Sequence, residues 1–270
     1  MTHTHAPARS DAHDPPRSLY HVCLALSEKL DAFLAEAPED TLLQSVQARL
    51  KKSMDIVQES FKRYRPEEIA ISWNGGKDCL VMLVVILASL ARSFKPTDST
   101  STPGMPDSPP GFPERLRSVY IVSAHPFPEV DDFVVSSSAE YYLDTTKITL
   151  SMKEGLGVFL KDNSQVKAIF VGTRRTDPFS ENLKEFDPTD SGWPPVMRLH
   201  SVLDWRLAEI WAFIRHLEIP YCSLYDQGYT SLGGKLNTVP NPRLKTEDGE
   251  SFLPAYELLE DDAERLGRYG

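Results

Sequence analysis

Apolar residues recur at helical spacing twice near the start of the chain. Leu19, Val22, Leu26, Leu30, Phe33 and Leu34 predict a helix over Ser18 to Ala37. Leu43, Val46, Leu50, Met54, Val57 and Phe61 predict a second from about Thr41 to Tyr64, with Pro38 between the two. The period then changes. Glu68 to Trp73 (EIAISW) is a short buried strand, Asn74 to Asp78 a tight glycine loop, and Cys79 to Phe94 an apolar helix. Strands follow at Leu116 to Ser123, Thr146 to Leu150, Val166 to Gly172 and Val196 to Val202. Helices alternate with them at Glu129 to Asp144, Met152 to Asp162 and Arg206 to Leu217, and Glu257 to Arg268 is a terminal helix. This alternation predicts an α/β fold: a doubly wound, mostly parallel sheet with an N-terminal helical extension and a C-terminal helix.

Two stretches break the pattern. Met1 to Arg17 carries histidines and prolines without an apolar run, and reads as a disordered leader, neither signal peptide nor membrane anchor. Lys95 to Pro113 holds six prolines among Ser and Thr and reads as a disordered surface insertion. The expected organisation is one domain over 18–270, interrupted by 95–113.

Composition narrows the class. The chain has 270 residues, of which 41% are hydrophobic, enough for one large core. Its net charge of -10 argues against holding nucleic acid through a basic face. The three cysteines, Cys23, Cys79 and Cys222, form no CxxC pair, so neither a disulfide framework nor a zinc site is expected, and a reducing, cytoplasmic setting fits. The apolar run Cys79 to Leu90 is too short to span a bilayer. No membrane contact and a monomeric state are expected.

Two polar loops follow the carboxyl ends of strands, NGGKD at Asn74–Asp78 and GTRRTD at Gly172–Asp177. Ligands of such sheets sit at strand carboxyl ends. A phosphate chain needs several backbone N–H groups at close range, which glycine permits, and a following helix adds free N–H groups and a positive dipole end. NGGKD is neither a Walker A loop nor a GxGxxG fingerprint; by itself it favours a phosphate-binding loop over a plain βα turn that happens to contain two glycines. Asn74 can close that turn or donate to a phosphate oxygen, Asp78 can cap the helix or face the ligand, and Lys77 can pair with phosphate or remain solvated.

The loop resembles the PP-loop of ATP pyrophosphatases, with Asn74 and Cys79 in place of the usual flanking serines. As Asn-Gly-Gly-Lys-Asp-Cys it is more similar to the eukaryotic FAD synthetases, FMN adenylyltransferases of PAPS reductase-like (adenine nucleotide alpha hydrolase) fold. Gly172–Phe179 (GTRRTDPF), Thr189–Pro194 with Met197–Leu199, Ile219–Cys222, Leu224–Gly233, Asn241-Pro242 and Glu264–Arg268 continue the resemblance in order, over roughly Ile69 to Arg268. Ser201 stands where that family often has proline, a departure expected to affect strand geometry, not chemistry.

The resemblance implies transfer of AMP from ATP to the phosphate of FMN, giving FAD and pyrophosphate with Mg2+. It implies catalytic roles for Asn74, Asp78, Asp177, Arg265 and Arg268. ATP would lie against Ile71, Ser72, Asn74, Gly75, Gly76, Lys77, Ile121, Gly172, Thr173 and Arg174, with Arg175 also a phosphate candidate. The flavin would meet Asp190, Ser191, Gly192, Trp193 and Arg198. Metal would approach Asp78 through water or substrate phosphates. Trp205 and Trp211 are expected in the core, and His125 and His200 are given no catalytic part. A PAPS reductase is the enzymatic alternative, but it needs a cysteine near the C-terminus, and none follows Cys222. Another ATP pyrophosphatase acting on a different acceptor, and a regulatory nucleotide-binding module with a dead site, are the other readings.

Overall fold

A computed structural model describes residues 18–94, 108–122 and 125–269. The leader, most of the proline-rich insertion and the end of the strand expected to reach Ser123 lie outside the described residues.

The chain opens with α1 (Leu19–Ala35) and α2 (Thr41–Arg63). Ser18 caps α1 by accepting from the His21 N–H, and Asp40 caps α2 by accepting from the Leu42 N–H at 2.8 Å. Both helices pack on α3 (Lys77–Ser93), whose residues from Cys79 to Ala91 are all buried. An all-round apolar helix has to be enclosed, so α3 becomes the centre of the main core, with α6 (Leu207–His216) also against it. Trp205 and Trp211 are in this core as expected, each 2% exposed.

The sheet comprises β1 (Ile69–Ser72), β2 (Leu116–Ile121), β3 (Leu143–Ile148), β4 (Ala168–Phe170), β5 (Phe186–Pro188) and β6 (Met197–Leu199), in the order β3-β2-β1-β4-β6-β5. All pairings are parallel except β5 with β6. Alternation divides the two faces. Ile69 and Ile71 join the α3 core, whereas Ala70, Val119 and Ile169 pack with Phe159 of α5 (Met152–Asp162) on the opposite side. The remaining helix, α4, spans Pro128–Glu140. The chain winds β1, β2, β3 outward and then returns to place β4 on the other side of β1. The strand order therefore reverses between β1 and β4, and the loops leaving these two strands are NGGKD and GTRRTD.

Four expectations are corrected. The terminal helix does not form: a single turn of 3₁₀ helix at Ala255–Glu257 ends where it was expected to begin, and another at Asp261–Ala263 lies within the stretch. Other segments capture its backbone groups. The Thr230 hydroxyl donates to Glu264 O, Asn241 Nδ2 donates to Ala263 O, and Val239 N–H donates to Gly267 O. Gly267 passes so close that a Cβ there would lie 2.3 Å from Val239 O. The helix expected to reach Asp144 ends at Glu140, and Tyr142, at φ 52, turns the chain into β3 at Leu143, three residues before the expected start at Thr146. β5 was not anticipated. Finally, the stretch 108–113 is described, and Phe112 in it is buried edge-on against Tyr20 and Phe94 at 5.0 and 5.2 Å, so the expected insertion extends too far. β6 ends before Ser201, whose carbonyl accepts from Ser53 Oγ of α2 at 2.5 Å.

Candidate active site

At the strand-order reversal, β1 delivers the glycine loop and α3 starts from Gly76. Gly75 has φ +73, and a Cβ there would stand 3.0 Å from Val134 of α4; glycine meets both constraints. Asn74 Oδ1 accepts from Gly76 N–H at 2.9 Å, and the Asn74 Nδ2 has no hydrogen bond among the described residues. Both readings of Asn74 thus hold together: the oxygen closes the turn and the amide N–H groups remain for a ligand. Tyr225 OH accepts from Lys77 N–H at 2.9 Å and fixes the first turn of α3.

The loop borders two cavities. The first, of about 340 Å³, is lined by Gly76, Lys77 and Asp78, by Ser231–Gly233 and by Glu264, Arg265 and Arg268. The second, of about 530 Å³, is lined by Ser72, Thr173, Leu156, Phe179, Asp190, Trp193, Arg198 and His200, among others. They share a wall of Asn74, Cys79, Ile121, Met152, Gly172 and Asp177. Gly172 makes that wall thin, because a Cβ there would lie 2.6 Å from Cys79 Sγ.

Beneath the first cavity lies a buried ionic cluster. Lys77 Nζ contacts Asp78 Oδ2 at 3.1 Å and pairs with Glu264. Arg174, fully buried, meets Asp78 Oδ1 at 2.8 Å, Asp261 Oδ1 at 3.1 Å and also Glu264. Burial alone would lower the Lys77 ammonium pKa, but Asp78 and Glu264 outweigh it and hold it above the ordinary lysine value. Burial likewise favours a neutral Asp78, yet Lys77 and Arg174 keep its carboxyl below the usual range. Paired charges of this kind fix geometry. They tie the C-terminal segment to the loop and place Arg265 and Arg268 at the cavity.

Several expected contacts change accordingly. The Arg174 side chain borders neither cavity, since its guanidinium is held by three carboxylates. Arg175 is bound to Asp204 Oδ1 at 2.8 Å and to the Glu181 carbonyl at 2.9 Å. Lys77 lines the cavity but is 2% exposed and paired with two acids. Ile71 is buried in the core and, like Gly75, lines neither cavity. Asp78 has a cation at each oxygen, which does not fit a direct metal ligand, and no group of three metal-ligating side chains occurs among the described residues.

Other expected residues converge. Asp177 Oδ2 accepts from Arg174 N–H at 2.9 Å, and its Oδ1 lies 3.9 Å from Arg265 NH1. Arg268 donates to Leu232 O at 2.9 Å, and its guanidinium covers Gly233, where a Cβ would fall 2.4 Å from Cζ. Thus Arg265 and Arg268 share a cavity without sharing a helix face. In the second cavity Arg198 meets Asp190 at 3.3 and 3.4 Å, and Trp193 stands at the rim, 37% exposed. Ser191 and Gly192 (φ +82) form the turn that sets Trp193, closed by Trp193 N–H to Asp190 O at 3.0 Å, and do not line the cavity. Asp261, Glu264 and Tyr225 join the site without a sequence signal that singles them out, and His200, given no catalytic part, borders the second cavity. Glu264 adjoins an expected arginine, yet an acid in an acid-rich tail carries no sign of burial in the sequence.

His200 gives a pH signature. Burial, with Arg198 nearby and Asp187 only partly opposing, holds its pKa down at about 4, against 6.5 for a free imidazole. The unfolded chain therefore takes a proton that the folded chain refuses between these values, and stability falls as pH drops through that window. Above pH 6.5 the effect is absent. Between about pH 7.5 and about pH 4.5 the native chain is expected to lose about 2–3 kcal/mol more than His200→Gln in denaturant titrations. Equal losses would contradict a neutral buried imidazole.

The model of the phosphoadenosine phosphosulfate reductase domain matches residues 154–240. The chain is 40% identical over 236 residues to the probable FAD synthase of Schizosaccharomyces pombe, covering 87% of this chain and 84% of that one. The crystal structure of Candida glabrata FMN adenylyltransferase with FAD and inorganic pyrophosphate superposes with a TM-score of 0.85 at 27% identity, covering 93% of this chain and 99% of that one. The same enzyme with FMN and the ATP analogue AMPCPP gives 0.82 at 27% identity, covering 93% and 100%. With most of both chains aligned at this identity, and the loops of β1 and β4 meeting at one site, the chain belongs to the FAD synthase family.

Proposed function

We propose that this chain is an FMN adenylyltransferase, which makes FAD and pyrophosphate from ATP and FMN. The single observation that carries the reading is the pair of cavities meeting at Asn74, Gly172 and Asp177. One side offers the glycine loop, Arg265 and Arg268. The other offers a flat apolar wall with Trp193 and a polar edge of Asp190 and Arg198. The members of the family solved with FMN and AMPCPP, or with FAD and pyrophosphate, support two substrates at one site.

In the reaction an FMN phosphate oxygen supplies the electron pair that forms a bond to the α-phosphorus of ATP. The bond from that phosphorus to the α,β-bridging oxygen breaks, and pyrophosphate leaves with its electrons. FMN brings the nucleophile, so no side chain of the protein attacks, and catalysis rests on positioning and charge neutralisation. Asn74 Nδ2 and the α3 N-terminus hold the phosphates. Arg265 and Arg268 face the pyrophosphate, where forked guanidinium groups match the oxygens. Asp177 orients Arg265 across the shared wall. Trp193 stacks on the isoalloxazine, while Asp190 and Arg198 read its rim. The adenine lies against the strand ends near Ser72, Ile121 and Thr173. Magnesium arrives on the phosphates as part of the ATP substrate.

Residues 18–270 act as one catalytic domain. Cys23, Cys79 and Cys222 are buried and unpaired, which supports a cytoplasmic setting, and the net charge of -10 supports working without nucleic acid. No helix among the described residues is long and apolar enough to cross a membrane.

The test is incubation of the pure protein with magnesium, ATP and FMN, following FAD and pyrophosphate together. Equal amounts of both are expected. Absence of FAD, with sulfite released from PAPS and a thiol reductant, would overturn the reading.

A further inference from the structure

The wall that β6 gives to the second cavity holds polar atoms that no described residue satisfies. Val196, Arg198 and His200 alternate onto one face of the sheet, and all three border the cavity, whereas Leu199 between them points into the α3 core. His200 is 1% exposed, and neither Nδ1 nor Nε2 has a hydrogen-bond partner among the described residues. The Nε of Arg198, two residues away on the same wall, is likewise without one. Its terminal nitrogens are engaged, NH2 with Pro188 O at 2.9 Å and both with Asp190. Buried polar atoms are nearly always paired, so three orphans on one cavity wall mark a place where a ligand completes the pairing.

The chemistry of that ligand follows from the imidazole. Arg198 on one side opposes a second positive charge, Asp187 compensates only partly, and burial keeps the ring neutral. A neutral imidazole offers one N–H and one lone pair, and its tautomer adapts to either demand. A flavin ring presents a planar rim where carbonyl and ring-nitrogen acceptors alternate with one N–H donor.

We infer that His200 is a specificity-determining residue for the flavin, hydrogen-bonding the polar rim of the ring beside Arg198. This rests on the assignment of the second cavity to FMN. Asp190 and Arg198 present an ion pair to the ring, and His200 adds the uncharged partner that discriminates a rim able to hydrogen-bond from an apolar edge.

Three variants test the inference by binding and steady-state kinetics. His200→Phe keeps a flat ring and removes both nitrogens; His200→Gln restores one donor and one acceptor; Asp190→Ala probes the cavity assignment itself. His200→Phe is expected to weaken FMN binding about tenfold or more, with KM for ATP within about twofold. Its Tm without ligand should be unchanged or higher, because a buried orphan is removed. His200→Gln should return FMN binding to within about threefold of the native value. If Asp190→Ala weakens FMN binding while His200→Phe leaves it intact, the inference on His200 fails and the cavity assignment stands. If both variants bind FMN normally, the cavity assignment fails first and His200 falls with it. Equal loss of FMN and ATP affinity with a lowered Tm would make His200 a packing residue and overturn the inference.

Discussion

Arg265→Ala is expected to lower kcat/KM for FAD formation by about a hundredfold to a thousandfold, the usual cost of removing one preorganised charge partner of a developing anion. Its side chain is 44% exposed, borders the first cavity, and makes one long ion pair, 3.9 Å to Asp177. A pair so exposed contributes at most about 1 kcal/mol to stability, so Tm should move by no more than about 4 °C. The separation of the two effects is the diagnostic feature. Arg265→Lys should recover part of the rate, because the charge returns without the fork. A normal rate in Arg265→Ala would remove the C-terminal segment from the mechanism. Arg268 is a less clean probe, since it also anchors Ser231–Gly233.

Arg174→Met is expected to have the largest effect on stability. Arg174 is fully buried among Asp78, Glu264 and Asp261, and its loss would leave three acids with Lys77 as their only cation in the cluster. Breaking a buried ionic group from one side costs about 3–5 kcal/mol, or a fall in Tm of roughly 6–20 °C for a chain of this size. Adding Glu264→Gln should recover part of that loss, because it removes one of the orphaned charges. Calorimetry of the single and double variants measures both, and an unchanged Tm in Arg174→Met would refute the cluster as the tie between loop and C-terminus. The same cluster changes the expectation for Asp78→Ala. That substitution would unsettle two buried cations, so lost turnover would not by itself place Asp78 at the phosphates; Asn74→Ala is the cleaner probe of the loop.

What the sequence discloses depends on how local its cause is. The run Cys79 to Leu90 forms a buried helix because nearly every side chain is apolar, whatever surrounds it. Gly75 and Gly76 mark a tight turn because the backbone itself demands it. The two loops at the strand-order reversal were legible for the same reason. The terminal segment was not: Leu258, Leu259 and Leu266 suggest a helix, but its carbonyls are captured by Thr230, Asn241 and Val239, residues distant in sequence. β5 has three residues, two half-buried and one exposed, too few for a period of two to show. Arg174 and Arg175 look alike as neighbours in the chain. Which one is buried depends on Asp78 arriving from the start of α3 and on Asp261 and Glu264 arriving from the C-terminal segment. His200 looked inert because a lone histidine has no pattern, and only its unpartnered nitrogens distinguish it.

The position of bond cleavage tests the central claim most directly. ATP labelled with ³²P at the α position, and in parallel at the γ position, is supplied with FMN and magnesium, and the products are separated. The account predicts that α label appears in FAD and γ label in pyrophosphate, in equal amounts. Label from the γ position in a phosphorylated flavin, or α label released as AMP without FAD, would contradict it.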